Sequence, residues 1–190
     1  DLSPLRGTED ERRALANKLT AVYHDIGFAV LVNHGLPTGY LDTMFAMMAQ
    51  FFALPDAQKL LIDKRESRHF RGWEAVGTEF TNNRPDVREQ IDIWSERPAL
   101  AEDVLPAYLR LLGPNQWMPD HVIPAQKALT LDWFNRLGTI ADEILSLFAL
   151  GLGLDADHFH TAFDKNSMSL MKFISYPPTP EGAAGVNAHH

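Results

Sequence analysis

The chain closes on G-V-N-A-H-H, Gly185 to His190, soon after the apolar run M-S-L-M-K-F-I-S-Y-P-P. Adjacent histidines on an extended strand point to opposite faces, so a single metal ion would take only one of them. A carboxylate two positions further on would share a face with one of these histidines. Together with a distant histidine it would complete a two-histidine, one-carboxylate set, which holds Fe(II) and leaves coordination positions open. Taken alone, these six residues fit a tag remnant or a loop pair more readily.

Lys172 and Tyr176 are the polar intruders in S-L-M-K-F-I-S-Y-P-P. On a strand, 172, 174 and 176 lie on one face and 171, 173 and 175 on the other. Lys172 and Tyr176 therefore face one way, either into solvent or onto a pocket wall that offers a cation and a hydroxyl to an acidic ligand. D-A-D-H-F-H, Asp155 to His160, is rich in possible ligands, but its acids stand where a helix start wants them. Its histidines, two apart, do not share a helix face. In R-P-D-V-R-E-Q-I-D-I-W, the residues Arg84, Asp86, Arg88, Glu89 and Asp92 read as a solvated, ion-paired edge. His34, in N-H-G-L-P, closes a turn. No Gly-rich phosphate loop, G-x-S-x-G or H-E-x-x-H occurs.

Several elements must position these residues. Thr8 and Glu11 have capping-box spacing, and Leu15, Leu19, Val22 and Ile26 form one stripe, predicting a helix over 9–25. F-A-V-L-V, Phe28 to Val32, reads as a buried strand. A second helix opens at Pro37-Thr38 with Leu41, Met44, Phe45, Met48 and Phe52 on one face. Arg71-Gly72-Trp73 is a short extended piece, and T-N-N-R-P-D is a loop. Gln90 to Trp94 alternates as a strand with Ile91 and Ile93 together. Residues 95–121 wrap over the surface. A long helix runs over 123–150, a short one over 156–163 capped by Asp155, and Met168 to Ser175 is a strand. Strand character returns only at the end, as if a main sheet were beginning there.

The bulk properties narrow the function. Of 190 residues, 45% are hydrophobic and 22% charged, as in a soluble globular protein. The net charge of −8 argues against a broad nucleic-acid or anionic-membrane surface. With no cysteine, disulfides and thiolate-bound zinc or iron–sulfur sites are excluded within this stretch. The first residues are no signal peptide, and no apolar run is long enough to span a bilayer. A cytoplasmic location is expected.

The pieces also fall into a familiar order: G-F-A-V-L-V-N-H-G-L-P, F-F-A-L-P-D-A-Q-K, R-G-W, R-P-D-V-R-E-Q-I-D-I-W, G-P-N-Q-W-M-P, F-A-L-G-L-G-L, and Y-P-P-T-P with G-V-N-A-H-H. In this order they resemble the isopenicillin N synthase-like family of Fe(II)/2-oxoglutarate-dependent oxygenases, and most nearly its bacterial members with N-Q-W-P in the middle. Each motif is weak alone, but together they cover nearly the whole chain.

The resemblance implies a mixed α/β fold, with a helix-rich region over 1–165 packed on the first strands, 166–190, of a double-stranded β-helix (jelly-roll) core whose remainder is missing. It implies a dioxygenase that uses Fe(II), 2-oxoglutarate and O2 to oxidise a small molecule, yielding succinate and CO2. His189 matches the histidine of the family's G-x-x-A-H-x-D and would be the first iron ligand, and His190 would point away. Tyr176 would bind the cosubstrate and Lys172 the substrate, with Glu89 an anchor near the pocket. No nucleic-acid or membrane partner is implied, and oligomeric state is open. Two alternatives stay open: an Fe(II) oxidase of the same family that does not use 2-oxoglutarate, and a non-catalytic binding or scaffold protein. With one ligand of three, the chain alone is expected to be inactive.

Overall fold

A computed structural model describes residues 1–160, 162–163, 167–179, 181–182 and 185–186. Its first helix starts where the capping box puts it. The Thr8 hydroxyl accepts from the Glu11 backbone N–H, and the Glu11 carboxylate accepts from the Thr8 N–H at 2.7 Å. These bonds pair two of the donors that a helix start leaves open. Helix α1 (Glu9–Asp25) ends before Gly27, whose φ of +89° few other residues adopt. Helix α2 covers Tyr40–Phe52, α3 Asp56–Lys59 and α4 Gln126–Gly151. The strands are β1 (Gly72–Glu74), β2 (Phe80–Thr81), β3 (Arg84–Pro85), β4 (Glu89–Trp94) and β5 (Leu170–Ser175). The class is mixed α/β.

The chain divides into two units, Asp1–Asp42 with Asp132–Ser167, and Thr43–Leu131 with the residues from Met168 on. The core of the first unit is Leu2, Leu15, Ala16, Leu19 and Leu147. Full burial of each leucine contributes about 2 kcal/mol. Tyr23 meets Phe148 edge to face at 4.9 Å. A Cβ on Gly151 would lie 2.0 Å from the Thr20 hydroxyl and 2.8 Å from the Ala16 carbonyl oxygen, so glycine is what lets α4 end against α1.

The second unit holds a three-stranded antiparallel sheet in the order β1-β4-β5. Its register pairs Ile91 with both Trp73 and Phe173, and Ile93 with Met171, which makes one face apolar. The other face carries Glu74 beside Gln90, and Asp92 beside Lys172. Asn115 extends β4 from the side: its Oδ1 accepts from the Trp94 N–H at 2.9 Å and its Nδ2 donates to the Trp94 carbonyl at 2.8 Å. Gln116 Nε2 donates to the Asp63 and Arg71 carbonyls, both at 2.8 Å. The N-Q of G-P-N-Q-W is thus a strap made of side-chain amides.

Some expectations fail. Phe28 to Val32 forms no strand; Phe28 and Val30 are 68% and 85% exposed, and no described strand pairs with them. An apolar β-rich run still needs a neighbour to take its N–H and C=O groups. Helix α2 buries Met44, Met47, Met48 and Phe51, leaving Leu41 and Phe45 exposed, so its inward stripe is turned from the one expected. Residues 156–160 form turns rather than a helix, with the His158 and His160 N–H groups donating three residues back. T-N-N-R-P-D is the tip of a hairpin, β2 with β3, joined by Asn82 and Asn83 at φ +52° and +61°. Asparagine tolerates this left-handed geometry, which matches the strand twist.

Candidate functional site

The polar face of β4 and β5 gathers most of the charge chemistry in the second unit. Asp92, 2% exposed at its side chain, accepts from Lys64 Nζ at 2.7 Å and lies 3.4 Å from Lys172 Nζ. Lys64 also donates to Glu74 at 2.9 Å. Gln90 Nε2 donates to Glu74 at 2.6 Å and to Glu79 Oε1 at 2.7 Å. Glu79 Oε1 is 3.5 Å from Lys172 Nζ, and its Oε2 is 3.6 Å from Arg88 Nη2. Arg88 also pairs with the buried Asp86 at 3.3 Å and hydrogen-bonds Tyr176. Among the described residues, four carboxylates (Glu74, Glu79, Asp86 and Asp92) thus face three cations (Lys64, Arg88 and Lys172), leaving one negative charge in excess.

The electrostatics follow from these partners. Burial raises the Glu79 carboxyl, but the Gln90 amide and the Lys172 and Arg88 charges outweigh it and hold the group below the usual glutamate range. Burial pulls the Lys64 ammonium down, and its bonds to Asp92 and Glu74 more than restore it. Arg88 behaves likewise, with burial lowering it and the Tyr176 bond first among the contacts that raise it. All three groups are therefore charged near neutral pH.

On the opposite face Glu89 accepts from Lys59 Nζ at 2.7 Å and from Trp73 Nε1 at 2.8 Å. It anchors α3 and β1 to β4. The edge read as solvated is instead largely buried at Asp86, Glu89 and Asp92, and only Arg84 stays exposed as expected. The cations that permit this burial, Lys59 and Lys64, come from a segment about 30 residues earlier, and no local spacing announces them.

Lys172 and Tyr176 are both exposed to solvent, the lysine side chain by 30% and Tyr176 by 59%. They meet the same cluster, Lys172 through Glu79 and Asp92 and Tyr176 through Arg88. Lys172 is thus a paired cation rather than a free one. Glu79, which the sequence did not single out, is the group that connects them. His34 does close its turn, its Nδ1 accepting from the Leu36 N–H at 3.2 Å. The first unit has a separate cleft of about 410 Å³ walled by apolar groups such as Leu15, Leu19, Val22 and Phe28. His189 lies outside the described residues. Among the described residues no three His, Cys, Asp or Glu side chains come together to hold a metal ion, so these residues do not by themselves make an iron site. No described helix is long and apolar enough to cross a membrane.

Residues 1–120 match the family described as "non-haem dioxygenase in morphine synthesis N-terminal". The chain belongs to this family. Among curated relatives of this dioxygenase-family chain, the 2-oxoglutarate-dependent dioxygenase frbJ of Dothideomycetidae sp. (strain 11243) is 33% identical over all of the chain and 51% of its own length. Homoarginine-6-hydroxylase 2-ODD-C23.2 of Arabidopsis thaliana is 28% identical over 92% of the chain and 48% of its own length. A 2OG-Fe(II) oxygenase family protein from Caulobacter crescentus superposes with a TM-score of 0.71 at 26% identity, over 92% of the chain and 55% of that structure. A full-length Neurospora crassa protein, solved in complex with alpha-KG, shares the fold at a TM-score of 0.72 and 23% identity, over 93% of the chain and 53% of that structure. The dioxygenase-family chain spans about half the length of the curated relatives it matches.

Proposed function

We propose that the protein is an Fe(II)- and 2-oxoglutarate-dependent oxygenase acting on a small molecule. In this reading residues 1–165 are its helix-rich region and 166–190 open a jelly-roll core. The observation that carries it is the 33% identity to a 2-oxoglutarate-dependent dioxygenase across the whole chain. Iron with 2-oxoglutarate and O2 would supply the oxidising power, one oxygen atom leaving in succinate and the other going to the substrate, with release of CO2.

His189 is the proposed iron ligand, from its place in A-H. Tyr176 is the proposed contact to 2-oxoglutarate. It stands exposed beside Arg88, and a phenolic hydroxyl can donate to a carboxylate. Lys172 faces the same side and is the proposed contact to the substrate, held in place by Glu79 and Asp92. Glu79 and Asp92 narrow the positions open to Lys172 before a ligand arrives, which lowers the ordering cost of binding.

Succinate release from 2-oxoglutarate tests this reading. It should require Fe(II) and O2, fall to background in His189→Ala, and need at least tenfold more 2-oxoglutarate in Tyr176→Phe. The assay uses the full-length protein, and absence of succinate from it with iron and O2 present would overturn the reading.

A further inference from the structure

We propose that the substrate carries an α-amino acid head group, with its ammonium on Glu79 and its carboxylate on Lys172. The inference rests on the reading above that the Lys172–Tyr176 face is the substrate side.

Glu79 and Lys172 are the half-open pair of the cluster, each 30% exposed at its side chain, whereas Asp86 and Asp92 are 0% and 2% exposed. Neither group is saturated. Lys172 Nζ meets its two carboxylates only at 3.4 and 3.5 Å, beyond the length of a full ammonium–carboxylate hydrogen bond. Glu79 Oε2 has its cation at 3.6 Å, outside hydrogen-bond range. Oε1 is occupied, since it takes the Gln90 amide at 2.7 Å. One anionic acceptor and one cationic donor therefore stand side by side with capacity left.

A ligand with an ammonium next to a carboxylate is the complement of such a pair. It can insert so that each of its charges meets the opposite one. A diacid would satisfy Lys172 but bring its second charge against a cluster that already has one negative charge in excess. A neutral ligand would separate Lys172 from Glu79 and offer no replacement charge, which is costly for partly desolvated groups. Glu79 is also fixed from behind, because the Asp86 N–H donates to its backbone carbonyl at 2.8 Å at the base of the β2–β3 hairpin. The Gln90 amide on Oε1 holds the carboxylate itself, with Oε2 left towards solvent and Arg88.

The test is binding, read as melting temperature and by calorimetry without iron, O2 or 2-oxoglutarate, so its result is separate from that of succinate release. The probes are the twenty common L-amino acids. The best binder is then compared with its Nα-acetyl and amide derivatives. At least one amino acid should bind, and each derivative should bind at least tenfold more weakly. Glu79→Gln retains an oxygen for Gln90 and should bind the free and Nα-acetylated forms equally. Lys172→Met should bind the acid and the amide equally. Circular dichroism confirms that both variants fold. If no amino acid binds, or if Glu79→Gln still discriminates against the acetylated form, the proposal is overturned.

Discussion

Lys59 and Glu89 meet at 2.7 Å with side chains only 5% and 10% exposed, and Glu89 also accepts from Trp73 Nε1. The pair joins α3 to the start of β4, and little solvent reaches it. Burial lowers the Lys59 ammonium, and its bonds to Glu89 and Asp56 more than offset this.

Glu89→Ala leaves Lys59 with the exposed Asp56 and a long bond to the Phe52 carbonyl, and leaves the Trp73 N–H without its acceptor. Stranding a buried charge in this way costs about 3 kcal/mol or more. Urea unfolding should show that loss, and Glu89→Gln, which keeps an acceptor, should show less of it.

Gly72 has φ +122°, and a Cβ there would come within 2.2 Å of the Ile62 carbonyl oxygen and 2.6 Å of Gln116 Nε2. Gly72→Ala combines backbone strain with a clash against backbone, so a loss of at least ~3 kcal/mol is expected. A melting curve with an unchanged midpoint would contradict this.

Glu96 gives a pH dependence of defined sign. Burial raises its carboxyl, but the Asn115 N–H and side-chain amide, with Lys127 and Trp117, outweigh burial and hold it below the usual glutamate range. A depressed folded-state value gives stability that is fully present above the unfolded value of about 4.3. That stability is lost as pH falls through the folded value. Glu96→Gln should therefore be less stable than the wild type at pH 7, with the gap closing on acidification towards pH 3. Denaturation midpoints across that range measure it.

Thr8→Ala removes the hydroxyl that accepts from Glu11 and should destabilise α1 by about 1 kcal/mol. Thr8→Ser should restore most of this, and thermal melting of the three proteins compares them directly.

The parts of the fold that depend on neighbours in sequence were legible there. Thr8 and Glu11 marked the start of α1, and the spacing of Leu15 and Leu19 marked its buried face. Ile91 and Ile93 alternate within one strand, and the structure puts both against one apolar face. Phe28 to Val32 misled because strand formation is settled by a partner, and composition does not supply one. Asp86, Glu89 and Asp92 misled because a charged run reads as surface until its counterions are known. Those counterions, Lys59 and Lys64, lie far back in the chain. Lys172 and Tyr176 were visible as breaks in an apolar run, whereas Glu79 sits in G-T-E-F with nothing in its spacing to mark it.

The two-faced β4 strand also acts as a proofreader of alignment. A slip of one residue against β1 or β5 would turn Ile91 and Ile93 towards Lys64 and Lys172 and carry Gln90 and Asp92 into the apolar layer around Trp73 and Phe173. Every ionic partner would be lost in one step while every hydrophobic contact was lost with it. Misaligned pairings are thus penalised twice, by stranded charge and by exposed hydrocarbon. Strand alignment in this small sheet is decided by its side chains as firmly as by its turns.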